Sequence, residues 1–398
     1  MDFQIILGIA FVIILGVLLL IKRKELVLQK VLFPFIYIIM YRTKLGLGLM
    51  DRISTKYREL VKLFGYVAIG VGFVGMIYIS LSVLILMLKM IFQPAVSESG
   101  MVLVLPFTNI PGIGFLPFSD WLISIFILAM VHEFAHGVVA RAHGIEVTSS
   151  GFAVLALLIP IIPAAFVEPD EKNMRKQPDH VQYSILAAGP VANIAFALII
   201  LLASSWILTP IEAKITEPSG FSFDIMNSTA PAAEAGLKGG TIIDMYNGKP
   251  VKGYEEFIYD VNYCVKPGNE ITFGSGNKTY LITTSSQPDN KDKPLIGITN
   301  IKNEVKVKEG YGWLATLIFK LKSLFKWLFL LNLFIGLANL LPLGIVDGGR
   351  MLQIALHSLF DNKKKAHKIW VFIAALFLIF LLFGLATSYL GNPFSLFG

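Results

Sequence analysis

The chain has 398 residues, 55% of them hydrophobic and 15% charged, against about 25% charged in an ordinary soluble domain. The deficit is concentrated in long apolar runs, which excludes a purely soluble protein. The formal charge of +7 comes largely from basic residues beside those runs, so it reads as a topology signal and argues against a nucleic-acid partner.

A helix needs about 20 apolar residues to cross a bilayer. Six segments supply them: 3–21, 63–92, 119–142, 181–208, 314–343 and 367–391. The first is followed by Lys22, Arg23 and Lys24 without a small-residue cleavage signal. It reads as a retained signal anchor with its N-terminus outside. Val31 to Tyr41 is about half a bilayer long and is expected to lie at the interface, or to dip in and return. Arg42, Lys44, Arg52, Lys56 and Arg58 place the 42–62 connection in the cytoplasm, and the absence of Lys or Arg between Lys89 and Arg141 places 93–118 outside.

The apolar stretch Gly151 to Val167 contains Pro160 and Pro163, which break a helix interior. It has basic residues on both flanks, Arg141 on one side and Lys172, Arg175 and Lys176 on the other. A single crossing would strand one flank, so the expectation is a re-entrant, partly extended segment lining a cavity. From 212 to 308 charges return and apolar runs shorten to strand length, with Gly, Pro and Asn between them. This reads as a soluble domain inserted between two spans and lying outside. The single cysteine, Cys264, rules out a disulfide within the chain.

The chemistry begins at His132-Glu133-Phe134-Ala135-His136. Histidines four apart share one helix face and can hold one zinc ion, with Glu133 beside it as a general base. The motif lies inside a span, where ionisable residues are costly, about 2.5–3.5 kcal/mol each for Asp, Lys and Arg on insertion scales, so a functionless Glu133 is disfavoured. A polar packing pair or a proton relay is the competing reading. A catalytic zinc site takes three protein ligands. Asp347, at the end of the fifth run, is the leading candidate for the third, although it fits a helix N-cap for 348–360 equally well. Glu168, His143 and His180 are its rivals. Asn193, early in the fourth span after Gly189 and Pro190, is placed to donate to a substrate carbonyl or oxyanion, or to bond another helix.

Together the segments HEFAHG at 132–137, AAGPVANI at 187–194 and NLLPLGIVDGGR at 339–350 resemble the site-2 protease family of intramembrane metalloproteases. The resemblance covers 119–208 and 314–360. It implies His132, His136 and Asp347 as ligands of one zinc ion per chain, Glu133 as general base, Asn193 on the substrate or its oxyanion, and Asn339 near the cleft. It also identifies Pro160 to Pro169 as a re-entrant element. Pro231 to Ile243 with Asn247 to Val251 resembles a protease-type PDZ domain, with Gly220 to Phe223 as its candidate carboxylate loop, although Gly240 stands where that module usually has Asp. The fold expected is therefore a polytopic α-helical membrane protein with about six transmembrane helices, a re-entrant segment and an inserted small, mainly β, PDZ-like domain. Its divisions are 1–62 (anchor and cytoplasmic or interfacial segment), 63–208 (helices with HExxH), 209–310 (external domain) and 311–398 (C-terminal helices).

The function implied is hydrolysis of peptide bonds within or near transmembrane segments of membrane proteins. The chain would sit in a prokaryotic cell membrane, with the active site toward the cytoplasm and the external domain filtering or binding substrate. The alternative is a non-proteolytic metal-binding scaffold that recruits partners through its PDZ domain; a transporter with a metal site is a third. Glu133 discriminates, because only a hydrolase needs it.

Overall fold

The computed structural model describes residues 3–32, 36–93, 101–110, 112–157, 159–287 and 290–390. Residues 33–35, 94–100, 111, 158 and 391, which fall within segments read above, lie outside the described residues.

In chain order the elements begin with α1 (Phe3–Ile21), the strands β1 (Leu26–Leu32) and β2 (Ile36–Thr43), α2 (Leu47–Lys56) and α3 (Arg58–Phe92). The short strands β3 (Asn109–Ile110) and β4 (Gly114–Phe115) precede α4 (Phe118–Ala142). Next come β5 (Val147–Leu157), β6 (Ile159–Pro169), α5 (Glu171–Met174) and α6 (Asp179–Ala203), continued by a π-helical turn, Ser204–Leu208, and α7 (Thr209–Ile215). A run of smaller elements follows: β7 (Thr216–Ile225), α8 (Pro231–Glu234), β8 (Met245–Tyr246), β9 (Lys249–Pro250), α9 (Tyr254–Tyr263), β10 (Glu270–Ser275), β11 (Lys278–Thr283), β12 (Ser285–Ser286), β13 (Pro294–Leu295) and β14 (Ile298–Val307). The chain closes with α10 (Gly312–Ala338), α11 (Asp347–Leu359) and α12 (Lys363–Leu390).

Six helices are long and apolar enough to cross a membrane: Phe3–Ile21, Arg58–Phe92, Phe118–Ala142, Asp179–Ile215, Gly312–Ala338 and Lys363–Leu390. They fall on the six runs read from the sequence. The fifth ends at Ala338 and not at 343. Pro342 cannot continue a helix whose preceding turn needs its N–H, and the chain turns through 339–346 before α11. Large apolar side chains such as Val74, Ile77 and Phe372 remain exposed along these helices, as lipid-facing surface requires.

The chain divides into two compact units, Met1–Ala203 with Ser323–Gly398, and Ser204–Lys322. In the first, α3 and α4 both pack on α6. Ala187 and Ala188 are fully buried, and such small residues let helices approach closely. The stretch 151–167 is extended: β5 and β6 form a long antiparallel hairpin. It joins the β1–β2 pair through β2 to make a four-stranded sheet in the order β1-β2-β5-β6, with β6 at one edge. The half-bilayer stretch Val31 to Tyr41 thus belongs to two strands and the residues joining them.

The second unit has a core of Phe221, Phe223, Phe257 and Phe273 among aliphatic residues. Burying each such ring contributes about 1.5–3 kcal/mol. Here β7 pairs with β14, and Phe221 exchanges backbone hydrogen bonds with Ile243. The Gly220 to Phe223 stretch is therefore mid-strand, with its backbone groups already engaged, and is not an open carboxylate loop.

Candidate active site

His132, Glu133 and His136 stand on α4, and both histidines are nearly buried. The rings lie edge to face with centroids 4.7 Å apart, which brings their Nε2 atoms to 3.1 Å. Helix α6 provides the back wall. His136 Nδ1 lies 2.7 Å from the Ile185 carbonyl. A carbonyl only accepts, so Nδ1 carries the proton and the Nε2 lone pair faces the cavity. Asn193 is fully buried, and its Nδ2 lies 3.2 Å from His132 Nδ1. The amide is thus turned to the rear of His132, while its Oδ1 has no partner among the described residues. A side chain at Gly189 would place a Cβ 2.8 Å from His132 Nε2, so this helix position must be glycine for the rings to fit.

Asp347 arrives from the other end of the sequence. The turn after α10 is closed by the Gly348 N–H donating to the Asn339 carbonyl at 2.8 Å, and a Cβ at Gly348 would meet the Leu340 backbone. Asp347 is the first residue of α11; Val346 is the N-cap and no side chain caps the helix. The Asp347 carboxylate instead lies with the histidines, Oδ2 being 3.1 Å from His132 Nε2 and 3.4 Å from His136 Nε2. Two ligands about 2.0–2.1 Å from a tetrahedral zinc ion are about 3.3 Å apart. The three donor atoms, two imidazole nitrogens and one carboxylate oxygen, therefore fit a zinc ion in both spacing and chemistry. The rival ligands lie elsewhere. Glu168 pairs with Arg42 at 2.6 Å and accepts from Ser149, and the Arg42 guanidinium holds its carboxyl below the usual carboxylate range. His143 contacts Ser184 Oγ at 3.1 Å, and His180 packs beside Tyr66.

Glu133 Oε2 accepts the Val167 N–H at 2.9 Å. Val167 therefore directs its backbone away from β5, and by the alternation of an antiparallel ladder so do Ala165 and Pro163. Pro163 has no N–H to leave unpaired, the usual accommodation of proline at a sheet edge. His132, Glu133, His136, Asn339, Asp347 and Arg350 help line one cavity of about 250 Å³. A polar cavity of about 590 Å³ shares Met174, Leu186 and Arg350 with it. Pro190 lies inside α6 and not at a loosened start, and its ring removes the helical donor that the Leu186 carbonyl would otherwise receive.

Two contributors to the site are silent in the sequence. The Ile185 carbonyl and the Val167 amide are backbone groups and carry no residue signature.

Comparison with known proteins bears on this region directly. The model of Peptidase family M50 matches residues 121–381. An uncharacterized protein of Methanocaldococcus jannaschii is 27% identical over 309 residues, covering 77% of this chain and 74% of that protein. The regulator of sigma-W protease RasP of Bacillus subtilis is 22% identical over 261 residues, 54% of this chain and 60% of RasP. Since the family match runs through most of the chain and takes in every residue that converges on the cavity, the chain belongs to Peptidase family M50, as a membrane-embedded metalloprotease of the site-2 protease type.

Proposed function

We propose that the chain is a zinc-dependent intramembrane endopeptidase that cuts within or near the transmembrane segments of membrane proteins. The observation that carries this reading is the convergence of His132, His136 and Asp347 donor atoms in the cavity that also holds the Glu133 carboxylate. His132, His136 and Asp347 would hold the zinc ion, which when bound lowers the pKa of water and polarises the scissile carbonyl. Glu133 is anchored through Oε2 by Val167, leaving Oε1 to take the proton of the attacking water and pass it to the leaving amine. Asn193 orients His132, since its amide lies behind that ring and not at the cavity. As the last strand of its sheet, β6 offers the outward backbone groups at Ala165 to an unwound substrate segment, which must be extended for its carbonyls to be reachable.

In this reading residues 209–310 form a PDZ-like domain on the external side that filters or binds substrate. The active site lies toward the cytoplasmic side of a prokaryotic cell membrane. The test is the Glu133→Ala chain, assayed for bound zinc and for cleavage of a single-span reporter. Zinc should be retained and cleavage should fall by about 10²–10⁴-fold, the scale of a lost general base; surviving cleavage would reject the mechanism. Asp347→Ala should lower bound zinc sharply, and an unchanged zinc content would place the third ligand elsewhere.

A further inference from the structure

A second cavity adjoins the first. It is a groove of about 360 Å³ between α2, α4 and the sheet, walled by Leu49 and Met50, by Met130 and Phe134, and by Phe152 and Ala165. It shares only Glu133 and Val167 with the cavity that holds the putting-together of the histidines and Asp347. The carboxylate and the amide that anchors it thus stand between a polar chamber and an apolar one. The sheet register sets the direction of approach. Ser150 pairs with Val167 and Phe152 with Ala165, so these four side chains share one face of the sheet, and all four line the groove.

A strand added along β6 would continue that face, with alternate side chains on the groove side. Its residue level with Ala165 would lie beside Glu133, which already holds the Val167 N–H one outward-directed position further along β6. We propose that this groove is the specificity subsite of the protease and receives a bulky apolar side chain, leucine or phenylalanine in size, from the substrate residue flanking the scissile bond. The inference rests on the proteolytic reading given above. The occupant follows from continuity: the groove is apolar apart from Glu133 and Ser150, and the Ser150 hydroxyl is already committed to the Leu45 carbonyl at 2.5 Å. A carboxylate entering it would lose its hydration and meet the Glu133 carboxylate, and a cation or amide that paired with Glu133 would occupy the oxygen the base needs. A glycine would leave the groove unfilled.

The experiment uses the full chain, zinc-loaded in detergent, and a single-span reporter in which each residue around the cleavage point is varied in turn among Gly, Leu, Phe and Gln. At one position Leu or Phe should be cut at least about 10-fold faster than Gly or Gln, the scale of apolar discrimination in an enzyme pocket. Leu49→Trp and Ala165→Phe narrow the groove from opposite walls, and either should collapse that ratio toward one, whatever its effect on overall rate. A ratio that survives both substitutions, or the lack of any position with apolar preference, would overturn the proposal. A second readout does not depend on turnover. A photo-crosslinking residue at Leu49 in the Glu133→Gln chain should capture the reporter at the position with that preference, and Ala165→Phe should suppress capture. Capture of lipid alone would assign the groove to the bilayer and reject the subsite. A chain that captures the reporter there yet never cuts it when zinc-loaded with Glu133 intact would leave the groove standing and reject the proteolytic reading instead.

Discussion

At the scale of single residues, the two histidines are oriented by different groups, His136 by the Ile185 carbonyl and His132 by the Asn193 amide. With Nδ2 toward the ring, the amide donates to Nδ1, and His132 then keeps its proton on Nε2, facing Asp347. Turned through 180°, Oδ1 accepts from Nδ1–H and frees Nε2 for a metal. Asn193→Ala should therefore weaken zinc binding by about 10–100-fold, the usual cost of losing such a supporting partner. Competition with a chromophoric chelator measures it, and an unchanged affinity would remove Asn193 from the metal's support. The histidines and Glu133 were legible in the sequence because their spacing is that of a helix turn and their depth in a span is costly. The role of Asn193 was not, because residue type alone does not say which way an amide points.

At the scale of elements, the apolar helices were legible to within about seven residues at either end, since the apolar length of each is set by bilayer thickness. The hairpin β5–β6 was foreshadowed by Pro160 and Pro163, which forbid a continuous helix. Its union with β2 was not, because pairing across more than a hundred residues leaves no local pattern. One lock on that union is the Arg42–Glu168 pair, which joins β2 to β6 at 2.6 Å. Both side chains are substantially exposed, so the pair contributes about 0.2–1 kcal/mol. Its pH dependence has a definite sign. The folded-state pKa of Glu168 is lowered from 4.5 by the hydrogen bond from Arg42. The contribution is complete above 4.5 and is lost as pH falls through the lower folded value. The difference in thermal midpoint between the parent and Arg42→Ala should thus be present at pH 7 and shrink below pH of about 4. A difference that grows on acidification would contradict the pairing.

At the scale of the whole molecule, the return of charges and turn residues after 208 marked a change of character in the sequence, and the fold has a separate compact unit, Ser204–Lys322. Asp347, by contrast, lies 211 residues beyond His136 in sequence, and only the packing of α11 against α6 and α3 brings it in. All three proposed ligands belong to the other unit, Met1–Ala203 with Ser323–Gly398. Zinc at 100 times its dissociation constant would stabilise that unit by about 2.7 kcal/mol. A chelator should accordingly lower the melting transition followed by hydrogen exchange in α4, α6 and α11, and leave exchange in β7, β10 and α9 unmoved. A uniform loss of protection in both units would show that the ion supports the chain as a whole.

The bond from His136 to the Ile185 carbonyl has a consequence for how the site can vary. A main-chain carbonyl cannot be altered by changing a codon, so the proton position on His136 is inherited with the helix itself. The proton position on His132 depends on a side chain that one nucleotide change can replace. Variation in metal affinity, whether by natural drift or in the laboratory, is therefore expected to accumulate at residue 193 and to leave residue 185 free to exchange one apolar side chain for another.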